Sequence, residues 1–64
     1  MIQHFNTKEF ACMSDARAYY LKQGYKTSDE TADSYLMVKF NPVCTEVLIE
    51  KEGFLKVVAK EYRV

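Results

Sequence analysis

The chain has no tryptophan, one proline, one histidine, two glycines and two cysteines among its 64 residues, and each scarcity removes a class of protein. Gly24 and Gly53 lie far apart, so no glycine-rich loop is available to cradle a phosphate. His4 stands near one end, with nothing in the sequence that places it beside a cysteine or serine nucleophile. Cys12 and Cys44 are too few for a disulfide-stapled secreted scaffold and lack the paired spacing of a zinc site. They read as reduced, packed thiols, with a Cys12–Cys44 disulfide as the alternative. No segment approaches the roughly 20 apolar residues of a membrane span, and no N-terminal stretch has the form of a signal peptide. The expectation is a soluble, cytoplasmic protein without a membrane partner.

Charge of one sign is also missing in excess. Basic and acidic residues balance at nine each, whereas non-specific phosphate binding depends on a surplus of Lys and Arg. Asp29, Glu30 and Asp33 lack the ligand order of a calcium loop and read as a solvated linker. Glu46 and Glu50, on one face of a strand, would stand about 13 Å apart, too far for a glycosidase pair. No catalytic, cofactor-binding or metal-binding residue is assigned, and no enzymatic activity is expected.

What is present is β-branched and aromatic sequence in short runs. Tyr35–Phe40, Val43–Glu50 and Phe54–Tyr62 are separated by turn residues and predict an antiparallel meander. Asn41-Pro42 opens the first connection, and Gly53 suits the left-handed position of the second. Upstream, Ser14 as N-cap, Asp15 in the first turn and Gly24 just past the end bracket a helix of about ten residues. Ala18 and Leu21, with Tyr20 or Ala16, form its inner face. Between Ile2 and Met13 a first strand is expected; the alternative is a longer helix from Thr7 to Gln23, since Asn6-Thr7-Lys8-Glu9 has the form of a capping box. The predicted fold is a single small α+β domain over residues 1–64, with one helix on one face of a three- or four-stranded antiparallel sheet in the order β-α-β-β-β.

Alternation along each run divides the sheet into two faces. Leu36, Val38, Phe40, Val43, Val47, Ile49, Leu55, Val57 and Ala59 are assigned to the helix side. Tyr35, Met37, Lys39, Leu48, Phe54, Lys56, Val58, Lys60 and Tyr62 fall on the other side, with Cys44, Glu46 and Glu50. That second face is too apolar for plain exposure and is the candidate interaction surface. Three occupants compete: a second copy stacked face to face, the N-terminal segment with Ile2, Phe5 and Phe10 folded over it, or the bases of single-stranded nucleic acid stacked on Tyr35, Phe54 and Tyr62 between the lysines. A chain this short buries only about 60% of its unfolded surface, so stacking would supply burial that the monomer lacks.

The helix end Leu21-Lys22-Gln23-Gly24-Tyr25, followed by three strands, resembles the start of the small HicA-type toxins, whose double-stranded-RNA-binding-like fold cleaves RNA. The likeness spans about Tyr20 to Glu50. That family carries its catalytic histidine on the first strand after the helix; Asp33-Ser34-Tyr35-Leu36 has none, and the family's basic charge and final helix are missing, so its activity is not implied. In size and style the chain also looks like the small accessory proteins of bacteria and their phages. The functional expectation is a non-enzymatic protein-binding or regulatory protein, a homodimer or the partner of another protein, with single-stranded nucleic-acid binding by the same face as the alternative.

Overall fold

The computed structural model describes residues 2–40 and 44–64. In chain order these form β1 (Gln3–Phe10), α1 (Met13–Lys22), β2 (Lys26–Glu30), β3 (Ser34–Lys39), β4 (Thr45–Gly53) and β5 (Lys56–Arg63). All strands join one antiparallel sheet in the order β1-β5-β4-β3-β2. The fold is α+β, with five strands instead of three or four.

The additional strand is β2, which contains the Asp29 and Glu30 read as linker. Its sequence Lys-Thr-Ser-Asp-Glu has no apolar alternation; the turn that follows is what holds it to β3. The Thr31 N–H donates to the Ser34 carbonyl at 2.8 Å, and Thr31 Oγ1 accepts from the Ser34 N–H at 3.1 Å. A hydroxyl that bonds its own turn in this way is a recognised turn device. As an edge strand, β2 needs pairing on one side only, and its polar side chains discourage pairing on the other.

The first strand forms where expected and the longer helix does not. β1 pairs with β5 from Gln3 opposite Arg63 to Phe10 opposite Val57. It therefore widens the sheet in its own plane and does not fold across either face.

Helix α1 is capped at Cys12, whose backbone is extended, and not at Ser14, which lies inside the first turn. Asp15 in the first turn and Lys22 in the last both oppose the helix dipole. At the far end Gly24 takes φ +101° as its position requires. The Tyr25 N–H then reaches back to the Tyr20 carbonyl at 3.0 Å and the Gly24 N–H to that of Leu21 at 3.1 Å, a Schellman closure that satisfies two terminal carbonyls. Met13, Ala16 and Tyr20, spaced by three and four, form the inner stripe. Ala18 and Leu21, expected there, face outward, Leu21 at 50% exposure.

Under the helix lie Val47, Ile49, Val57 and Ala59, as expected, joined by Tyr35 and Met37. The last two correct the reading of β3, whose alternation is inverted. Tyr35 stands opposite Ile49 and Lys39 opposite Thr45, so odd positions of β3 share a face with odd positions of β4. An odd number of residues, 40–44, joins this last pair; the expected assignment needed an even one. Met37 is fully buried, while Leu36 and Val38 turn to the far side. Phe40 is 76% exposed and not under the helix; Val43 and the Asn41-Pro42 turn lie outside the described residues.

The β4–β5 turn also departs from expectation. Gly53 pairs with Lys56, and the left-handed residue is Leu55 at φ +58°, not Gly53. Phe54 and Leu55 form an exposed tip, at 93% and 68% exposure, so neither belongs to a sheet face. A side chain in the left-handed region costs roughly 1–2 kcal/mol, more than the roughly 0.5–1 kcal/mol that glycine loses in entropy. Leu55→Gly is expected to raise the unfolding free energy by about 0.5–1 kcal/mol, read as a higher urea midpoint at unchanged slope.

Candidate interaction surface

The helix side of the sheet is closed by polar as well as apolar contacts. Tyr20, 1% exposed, donates its hydroxyl hydrogen to Glu61 Oε2 at 2.5 Å across the core. Thr45 Oγ1 donates to the Tyr25 hydroxyl at 3.0 Å. Burial first, and then the hydrogen bond and charge of Glu61, push the Tyr20 phenol far above its ordinary value. Lys39 lies over the Tyr25 ring at 5.1 Å and donates to the Gln23 carbonyl at 3.3 Å. Arg17 joins Glu30 at 3.0 Å and stacks on Tyr35 at 5.0 Å. Tyr35, Met37 and Lys39 therefore leave the candidate surface: they belong to the helix side.

The opposite face is read from the register as three rows across the strands. The first runs Glu9, Val58, Glu50, Ser34; the second Thr7, Lys60, Leu48, Leu36, Asp29; the third His4, Tyr62, Glu46, Val38, Lys26. Leu48, Val58, Lys60 and Tyr62 thus share one face, with Val58 buried at 6% exposure and the other three half-buried. Leu36, Val38 and His4 join them, the first two unrecognised because their strand was read in the wrong phase. Leu36 and Leu48 stand directly opposite one another at the centre of the face, both half-buried although none of the described elements crosses them. The His4 and Tyr62 rings meet at 5.3 Å, with His4 Nε2 2.8 Å from the Thr7 hydroxyl oxygen. Phe54 stands off at the tip, and Lys56, next to it, lies 4.0 Å from Glu52.

Both sheet edges are irregular. Pairing in β1 shifts between His4 and Asn6 and pairing in β2 between Thr27 and Asp29, and such bulges impede the addition of a further strand. Contact with another chain is therefore easier through the face than through an edge. The charges, balanced overall, are separated in space. Glu9, Asp15, Asp33, Glu50 and Glu52 crowd the end that holds the N-terminus of α1 and the Phe54 tip, where Lys51 and Lys56 are the countercharges; Lys22, Lys26, Lys39 and Arg63 crowd the other, with Glu46 and Glu61.

Among the described residues no group of His, Cys, Asp and Glu is arranged to hold a metal ion, and no helix is long and apolar enough to cross a membrane. Cys12 and Cys44 are free thiols. Comparison with protein-family models, with curated proteins and with solved structures finds no match.

The Tyr20–Glu61 bond yields a pH prediction. A phenol whose folded pKa is raised stabilises the fold fully below the unfolded value near 10, and that contribution is lost as pH rises above it. Tyr20→Phe is expected to cost about 2 kcal/mol at neutral pH, because Glu61 loses its buried donor. The same variant should show a shallower loss of stability above about pH 10, measured by urea unfolding across alkaline pH.

Proposed function

We propose that this protein is a small non-enzymatic binding protein, regulatory or accessory in role, that pairs with a second copy of itself through the open face of the sheet. The observation that carries the reading is the Leu36–Leu48 pair, flanked by Val38, Tyr62 and the buried Val58 on a face that no described element of the chain covers. Five strands about 4.8 Å apart, with side chains spread over some 20 Å of strand, present on the order of 400 Å² of flat area. Two such faces bury about 800 Å², below the roughly 1,200 Å² of stable interfaces and in the range of weak, transient ones. The pairing is accordingly weak, in the micromolar range.

Charge favours one orientation. A two-fold axis running across the strands sets Leu36 and Leu48 over their own copies and lays the Glu9–Glu50 row of one copy against the row that holds His4 and Lys26 in the other. An axis along the strands would instead set like-charged ends together. Glu46 meets the partner's Glu50, and Lys60 and Asp29 in the middle row meet their own copies, which weakens the contact. The nucleic-acid alternative loses Tyr35 and Lys39 to the helix side, and Glu9, Glu46, Glu50 and Asp29 outnumber Lys26 and Lys60 on what remains of the face. Phosphate backbones are repelled by that balance.

Light scattering coupled to size exclusion is expected to give twice the monomer mass at high micromolar concentration. Leu48→Lys should give the monomer with an unchanged circular dichroism spectrum, and Glu46→Gln should tighten pairing several-fold, about 1 kcal/mol. A wild-type monomer throughout the concentration range, or a Leu48→Lys variant that still pairs, would remove the open face as the interface. Salt-sensitive binding of single-stranded RNA or DNA would favour the alternative.

A further inference from the structure

The single histidine of the chain stands on the open face because of a bulge. Pairing of β1 with β5 sets His4 opposite Tyr62 and Asn6 opposite Glu61, which leaves Phe5 as an extra residue between them. Asn6, Lys8 and Phe10 stand opposite Glu61, Ala59 and Val57, all on the helix side. In an unbroken strand His4 would fall on that side with them. The bulge turns its side chain to the other face, as bulges do elsewhere when they re-aim a residue. There the ring meets Tyr62 at 5.3 Å and stays exposed.

The bonds of the ring fix where a proton can be added. Nε2 lies 3.0 Å from the Asn6 carbonyl oxygen and 2.8 Å from the Thr7 hydroxyl oxygen. A carbonyl only accepts, so Nε2 carries the hydrogen, and Nδ1 of the neutral ring holds a lone pair. Protonation at Nδ1 then adds a charge and a second donor without breaking either bond. Within one copy little answers that charge. On β5 the neighbours are the Tyr62 ring and, one row away, Lys60; Asn6 and Thr7 of its own strand are neutral; Glu46 stands beyond Tyr62 on β4.

A second copy supplies the missing carboxylate. The two-fold axis across the strands reverses strand direction and sets each strand over its own copy, so the row of β1 that holds His4 faces the row that holds Glu9. Glu9 is exposed, and it belongs to neither of the ion pairs found among the described residues. We infer that His4 is a pH-sensitive clasp for pairing: its protonated ring joins the partner's Glu9, once at each rim of the contact, and its neutral ring lets go. The inference rests on pairing through the open face and adds its regulation. Histidine is the side chain whose charge changes between about pH 5 and 8. Pairing favours the charged ring, so it takes up protons and tightens as pH falls through that range. Carboxylates and lysine amines titrate outside it.

Sedimentation equilibrium of the whole chain at about pH 8 and about pH 5.5, at one ionic strength, reads the pairing constant. Wild type should pair about fivefold more tightly at the lower pH, the value of two exposed ion pairs. His4→Gln and Glu9→Gln should each abolish the response, and His4→Lys, charged at both pH values, should pair at the higher pH as tightly as wild type does at the lower. Equal pairing of wild type at both pH values, or a response that persists in His4→Gln, would overturn the clasp and leave pairing through the face standing. A response kept in full by Glu9→Gln would overturn the ion pair. Absence of pairing at both pH values would overturn the face and the clasp together.

Discussion

One helix of ten residues, about 15 Å long and 10 Å across, can cover only one face of a sheet five strands wide. Everything else in this structure follows from how that shortage is managed. The covered face places its largest apolar side chains, Met37, Val47, Ile49 and Val57, beneath the helix, and the same cluster holds the small Ala16 and Ala59, which let helix and sheet come close. The helix is too narrow to reach the flanks, and there the chain turns to long amphipathic side chains. Phe10 packs against Tyr19 and Tyr20 on the β1 side, and Arg17 spreads over Tyr35 on the β3 side. Stems and rings exclude water while charged heads and hydroxyls stay wet or bonded.

The core that results is thin and partly polar. Tyr20 is the residue that makes it work, because its ring fills the space under the helix while its hydroxyl must find an acceptor. Glu61 supplies one from β5, the strand at which β1 and β4 meet. The bond therefore ties the helix to a strand that is itself paired on both sides. A carboxylate in that position is costly without a donor, so helix and sheet are held in one relative placement.

The parts of the fold that could be read from sequence are those set by short-range chemistry. Gly24 ended the helix because only a residue without a Cβ accepts its backbone there, and the runs of β3, β4 and β5 were recognisable by composition. The parts that could not be read depend on parity or on partners. Which side Met37 faces is decided by whether the connection to β4 has an odd or even number of residues, and nothing within Tyr35–Phe40 encodes that. One residue of difference exchanged Met37 and Tyr35 for Leu36 and Val38, and with them much of the candidate surface. β2 escaped notice because an edge strand is built by the Thr31 turn and by pairing, not by its own apolar pattern. The inner face of α1 differs because the helix starts two residues earlier than Ser14 implies: with Cys12 as cap, Ala16 and Tyr20 form the stripe in place of Ala18 and Leu21. On the surface, Leu48, Val58, Lys60 and Tyr62 were legible because β4 and β5 kept their expected phase.

Net charge conceals how the charges are used. The N-terminus of α1 carries the positive end of the helix dipole and lies where the acids gather, and its C-terminus carries the negative end and lies among lysines. Side-chain charge therefore opposes the dipole at both ends of the helix, which lowers the energy of the fold but leaves the molecule electrostatically two-sided. A neutral, two-sided molecule is not repelled by its own copy when the ends are reversed, and is repelled when they are aligned.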